Sequence, residues 1–460
     1  MKLSITLLCI ALAAPAFAAD PRVELGLVPA EVMEGSRLFF EETFAGNGRT
    51  CGTCHLAESN TTIELGDIEA LPPDAPFFAL NVPGLEHASL IRRGLILENV
   101  DGFNRDPAFR SVPHTLSMAT SIISNVDQPP GSHSVGWSGD GAPAPGTLND
   151  FARGAVMQHF PRRLDRVAGV DFRLPTPDEE AALLAFQLAL GRTADIDLAS
   201  VRFNDPMAEA GRPFYLDSVG NNCQRCHGDA GANRGVDGGG PEMNGPGGII
   251  TGNQVKDTNV DATRLPFAPP DHGRGFPGDE MFSPPPLIEA ADTGPFFHTN
   301  SIFDIESGVR FYTTAPPALF SGSQQTFGED VVQELGATLR ALNASFNAQL
   351  ALQRIEAAQT ILLAVGGHSS AAELLDLAAE EAEDGARVLT SEGSKQAKAK
   401  LGVCENLARN ASRAKKIEKH GQQIEQARLA CAEANALIGT GLTMELGSGN
   451  LAMKSSRFKP

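Results

Sequence analysis

Cys51-Gly52-Thr53-Cys54-His55 is the stretch on which the reading of this chain turns, because the same spacing returns as Cys223-Gln224-Arg225-Cys226-His227. On a helical turn, residues three and four apart share a face. Two sulfurs three residues apart therefore present together, with an imidazole one residue further on. A c-type haem needs this arrangement: each sulfur bonds one vinyl group, and the histidine reaches the iron from the same side. Two other readings use part of the pattern. A thioredoxin-like pair needs one Cys-x-x-Cys and gives the next histidine no task. A zinc site would have to join both motifs into one four-ligand set. Histidine directly after the second cysteine in both copies favours two covalently attached haems. Cys51, Cys54, Cys223 and Cys226 are then the attachment points, and His55 and His227 are iron ligands.

The N-terminus predicts where such a chain works. Lys2 precedes an apolar run, Leu3 to Ala14, and Ala16-Phe17-Ala18 has the small-x-small form of a cleavage site. These features predict a signal peptide over 1–18 and a periplasmic mature protein. The run is too short to cross a bilayer and no later stretch is long and apolar enough, so no membrane span is expected. The net charge of -19 argues against nucleic-acid binding, which needs a basic face. It is compatible with a basic redox partner, although acidic surfaces more often serve solubility. Of seven cysteines, Cys9 lies in the signal and four in the motifs. Cys404 and Cys431 remain, either as a disulfide, which an oxidising compartment permits, or as two buried thiols.

The rest of the chain reads as mainly α. Glu34 to Phe40 precedes the first motif and Ala210 to Tyr215 the second, each as a short amphipathic helix. Thr176-Pro177-Asp178-Glu179 supplies an N-cap, a proline at N1 and a capping-box glutamate. The helix it starts carries Leu183, Phe186 and Leu190 on one face and stops near Gly191. Val331, Val332, Leu335, Leu339 and Leu342 mark a helix closing the second half. Two repeated units of helix, motif and closing helix make two cytochrome c-like domains, expected over 19–197 and 198–345. Long Gly- and Pro-rich loops, above all Gly228 to Pro286, fit segments that wrap a ligand. From 346 to 446 the composition turns to Ala, Glu, Lys, Gln and Leu, which predicts an added helical extension. Its basic stretch, Arg413 to Lys419, reads as a solvated helix face, and 447–460 as a loose tail.

Four further stretches stand beside the motifs. They are Gly35-Ser36-Arg37-Leu38-Phe39-Phe40 leading to Gly46-Asn47-Gly48; Arg110-Ser111-Val112-Pro113-His114-Thr115-Leu116; Gly136-Trp137-Ser138-Gly139-Asp140-Gly141 followed by Leu148; and Thr293-Gly294-Pro295-Phe296-Phe297-His298 running on to Val309-Arg310-Phe311-Tyr312. With the two motifs, the chain from about Glu34 to Asn343 resembles the bacterial di-haem cytochrome c peroxidase and MauG family. The extension matches nothing in it.

The resemblance implies a peroxide-reactive N-terminal haem, a C-terminal haem that takes electrons from a partner, and a tryptophan between them. Trp137, the only tryptophan, falls at that position. Tyr312, fourteen residues after His298, falls where the second iron has its far ligand; MauG-like proteins carry Tyr there and peroxidases Met. Met281 is the competing ligand. The peroxidase loop histidine is missing before Arg110, where Gly102-Phe103-Asn104 stands, which implies an open first iron. The family's distal Gln and Glu are not evident either, and Phe151 occupies the Gln position. His159 is the nearest acid–base residue; it could move the peroxide proton, ligate the iron, or be an ordinary histidine. His133 and His114 are weaker candidates. Thr293 and Pro295 match calcium-site positions, but Ser111 replaces the usual Asn.

Two classes of function follow. One is an enzyme that uses hydrogen peroxide and exchanges electrons with a small cytochrome or cupredoxin, or oxidises a protein substrate. The other is a plain di-haem electron carrier. The extension is expected to serve docking or to make a homodimer.

Overall fold

The computed structural model describes residues 20–99, 102–104, 107–121, 147–217, 223–231, 285–297, 299–314 and 327–455, and of Ala108, Ser121, Arg225, Cys226 and Thr314 the backbone alone. The protein is mainly helical, with four short strands among the described residues. In the first half, α1 (Ala30–Glu41) leads toward the first motif. A short hairpin, β1 (Leu95–Glu98) against β2 (Ala108–Ser111), follows. Then come α2 (Leu148–His159) and α3 (Pro177–Leu188). The start of α3 forms as its sequence predicts. Thr176 accepts from the Glu179 amide, Glu179 reaches back to the Thr176 amide, and Gly191 turns the chain away at φ +67°.

The second half repeats this scheme. Strand β3 (Arg202–Phe203) and α4 (Pro206–Leu216) precede the second motif. Helix α5 (Ile305–Thr314) follows, and α6 (Glu329–Val365) closes the unit.

One constraint recurs in both halves. In α1, a side chain on Gly35 would place Cβ 2.0 Å from the Ala182 carbonyl oxygen in α3. In α4, a side chain on Gly211 would meet the Glu334 carbonyl oxygen in α6 at 2.2 Å. In each half the helix before the motif thus crosses the closing helix backbone to backbone. Only glycine permits that approach. Phe39 and Phe186 fill the space beside the first crossing, with ring centroids 5.4 Å apart.

Helix α6 does not stop where the second half ends. It runs for 37 residues, about 55 Å at 1.5 Å per residue, so the expected boundary at 345/346 falls inside one continuous helix. Its buried positions continue through Phe346, Leu350, Ile355 and Ile361. With α7 (Ser369–Val388), α8 (Lys395–Ser412) and α9 (Gly421–Ile438) it makes an antiparallel bundle in which each helix packs on the next and α9 returns to α6. Cys404 and Cys431 are joined as a disulfide between α8 and α9. The basic stretch from Arg413 lies in the connection between these helices, which includes a short 3-10 helix, Ile417–His420.

Of the segment expected to hang loose, the described part, 447–455, is packed instead. After α9, β4 (Gly439–Thr440) pairs with β3, and the chain then lies against the first half. Asn450 is fully buried; its Oδ1 accepts from the Gly191 amide at 2.7 Å and its Nδ2 donates to the Gly191 carbonyl at 3.0 Å. Ser36 donates to the Ala452 carbonyl and Arg22 to that of Leu451. These backbone carbonyls leave no hydrophobic pattern in the sequence, so the packing could not be read from it. Among the described residues, no helix is long and apolar enough to cross a membrane.

Two outcomes are expected. Gly35→Ala and Gly211→Ala should each cost about 3 kcal/mol through overpacking against fixed backbone, read as a lowered thermal midpoint. An unchanged midpoint would refute the close crossing. Asn450→Ala should cost about 2 kcal/mol by orphaning the buried Gly191 amide, while the Gly191 carbonyl keeps the Gly447 amide as donor. Leu363→Ala, at an exposed site, should stay within about 0.5 kcal/mol of the parent.

Candidate functional site

The first motif is built on a tight turn. The amides of Cys54 and His55 both donate to the Cys51 carbonyl, at 3.1 and 3.0 Å, which holds the two cysteines and the histidine on one turn. Gly52 sits under Phe40, where a Cβ would come within 2.5 Å of the ring. The approach to the motif is pinned from behind. Asn47 donates to the carbonyls of His159 and Pro161, and buried Arg49 pairs with buried Glu86 at 2.7 Å.

The second motif repeats the turn, with the His227 amide donating to the Cys223 carbonyl at 2.9 Å. Tyr215 donates its hydroxyl to the His227 carbonyl at 2.7 Å. The imidazoles are held alike. His55 Nδ1 lies 2.7 Å from the Thr61 carbonyl oxygen and His227 Nδ1 lies 2.8 Å from that of Pro285. A carbonyl only accepts, so both rings carry their proton on Nδ1 and present Nε2 as a lone-pair donor. Burial lowers both imidazoles below their ordinary range, His227 to about 4, so both rings are neutral at neutral pH.

The free thiols of the first motif are buried and unreactive. Burial pushes Cys51 up to about 12 and Cys54 to about 11, so both free thiols are protonated at neutral pH and neither is the reactive thiolate of a redox pair. Among the described residues, no three His, Cys, Asp or Glu side chains converge as a metal site. The first motif also lies near buried polar atoms that have no partner: Asn60 Nδ2, Thr115 Oγ1, His159 Nδ1 and Arg166 Nε. Each costs about 1–3 kcal/mol when unsatisfied. A haem with its two carboxylates is a group that would satisfy such donors, and the residues present fit it.

The structure places the remaining candidates as follows. His159 ends α2, where burial, with Arg49 and Arg166 adding to it, lowers its imidazole to about 3. Phe151 is half-buried on the same helix. His114 is buried and lowered to about 4, chiefly by desolvation. Phe103 is exposed, with the Arg166 guanidinium 4.4 Å from its ring centre. Tyr312 is half-buried on α5, its ring edge-on to Phe311 at 5.8 Å. The Thr293 hydroxyl bonds the carbonyls of Glu289 and Ala290, the Gly294–Pro295 bond is cis, and Ser111 pairs with Leu95 in the hairpin. Trp137, His133, Met281 and His298 lie outside the described residues, as does the Cys226 side chain.

Sequence reasoning missed two buried ion pairs beside these sites, Arg49 with Glu86 and Arg192 with Glu289. The sole trace of the second is a glutamate inside the apolar run Leu287 to Ala291. Comparison with protein-family models and with curated proteins finds no match.

The buried histidines set a pH dependence. His114 and His159 are held below the ordinary histidine range near 6.5, so the unfolded chain binds the extra protons. Their contribution to stability is complete above pH 6.5 and is lost as the pH falls toward 4 and 3. The urea midpoint should therefore drop between pH 6.5 and 4, and a His114→Asn/His159→Asn variant should show a shallower drop. An equal slope in parent and variant would contradict the assignment.

Proposed function

We propose that this chain is an exported di-haem c-type cytochrome of the cytochrome c peroxidase and MauG kind, made of two cytochrome c-like units. In this reading it consumes hydrogen peroxide at the first site and exchanges electrons through the second. One observation carries the reading: two Cys-x-x-Cys-His turns each hold a neutral imidazole by an Nδ1 bond to a loop carbonyl. Metal-bound histidines are ordinarily oriented by such a bond. Cys51 and Cys54 would hold the first haem and His55 its iron. Cys223, Cys226 and His227 would hold the second.

Bound haem supplies the redox chemistry by which peroxide is reduced to water. The chain's residues prepare the ground for it. Phe39, 5.8 Å from the His55 ring, and the aromatic packing behind it keep water from the histidine side. Asn60, Thr115 and Arg166 offer buried donors to the haem carboxylates. His159 would be the acid–base group nearest the first site through its unpartnered Nδ1, but burial, which lowers its imidazole to about 3, leaves it a weak proton acceptor. Tyr312 would take the far side of the second iron, where a phenolate favours the ferric and higher states. Trp137 would link the two sites. The electron donor is a small cytochrome or cupredoxin, or a protein side chain is oxidised in its place. The disulfide between Cys404 and Cys431 supports an oxidising compartment, the periplasm.

The test is a peroxide titration of the ferric protein followed by electron paramagnetic resonance. High-spin and low-spin signals should coexist, peroxide should change both within the mixing time, and Tyr312→Phe should alter the low-spin species alone. Low-spin iron only, inert to peroxide, would instead identify a plain electron carrier.

A further inference from the structure

We propose that Glu289, clamped by Arg192 and Ser117, is a positioning residue that sets the two haem sites jointly, so that a change there is felt at both. The inference rests on the di-haem reading. Arg192 and Glu289 are both completely buried, with Nε to Oε1 at 2.5 Å and Nη2 to Oε2 at 3.4 Å. Ser117 completes the unit: its hydroxyl donates to Glu289 Oε1 at 2.6 Å and accepts from the Arg192 amide at 2.9 Å. Arg192 and Ser117 belong to the first half of the chain and Glu289 to the second.

The place of this clamp gives it reach. Each imidazole leans on a loop that leads into it. Pro285, whose carbonyl accepts from His227, lies four residues before Glu289. Pro113, whose carbonyl bears on the His55 ring, lies four residues before Ser117. Both loops are fastened along the way. The amides of Leu287 and Ile288 both donate to the Ala230 carbonyl at 2.9 Å, three residues past His227. The Thr115 amide donates to the hydroxyl of Thr61, whose carbonyl holds His55. The loops from the two histidines therefore meet at one charged contact.

A buried ion pair is poor evidence of a stability device, since a well-packed apolar pair often holds as well or better. Its charges act through a weakly polarisable, unscreened interior, where they reach further than at the surface. With haem bound at both motifs, an anion fixed in the interior where the two histidine loops meet would favour the ferric state at each site, and its geometry would set how both imidazoles are held.

The experiment uses the full-length holoprotein, with wild-type haem stoichiometry read first. Fewer than two haems in the wild type would overturn the di-haem reading, and this inference with it. Given two haems, Glu289→Gln keeps the shape and removes the anion. Spectroelectrochemical titration should then show both midpoint potentials raised at unchanged haem content. A shift of one haem alone, or of neither, overturns the proposal. Should Glu289→Gln fail to accumulate, Ser117→Ala keeps both charges and cuts the bond between the loops. The ferric resonance signals of both haems should move, and movement confined to the first site overturns the proposal.

Discussion

Two helix crossings at backbone distance govern the rest of this structure. Where α1 passes α3 at Gly35, and α4 passes α6 at Gly211, the chain has no room for even a methyl group. Each crossing fixes the end of the helix that leads into a Cys-x-x-Cys-His turn. The turn holds Cys51, Cys54 and His55 together in the first motif, and in both motifs a carbonyl from a later loop fixes the ring. Everything proposed for the two sites depends on this chain of constraints.

The C-terminal bundle is part of the same frame. Because α6 is one helix, the bundle is rigidly continuous with the second unit. Because the chain returns through Asn450, Leu451 and Ala452 to Gly191, Arg22 and Ser36, it also grips the first. The extension thus ties the halves from outside, while Arg192 and Glu289 tie them from within.

Much of the fold and part of the site were legible in the sequence. Thr176, Pro177 and Glu179 announced α3 because capping depends on a few neighbouring residues. The two motifs stood out because a Cys-x-x-Cys-His spacing is wholly local, and each lies on the helical turn that this spacing implies. The glycines stood in the quoted stretches, but their reason did not, since it lies in carbonyls 147 and 123 residues away. The continuity of α6 was hidden because a helix that changes partners keeps its period and changes only its composition. The packed tail and the Arg192–Glu289 contact were illegible for the same reason: single polar bonds between distant segments leave no periodic signature.

The central claim is that both motifs carry covalently bound haem. Intact-mass measurement of the purified protein under denaturing conditions, with absorbance at the Soret band, tests it most directly. The account predicts a single species heavier than the processed chain by the mass of two haems, falling to one haem when Cys51 and Cys54, or Cys223 and Cys226, are replaced by alanine. A species at the mass of the bare polypeptide, with these four thiols free to alkylation after export alongside a working haem-attachment system, would contradict it.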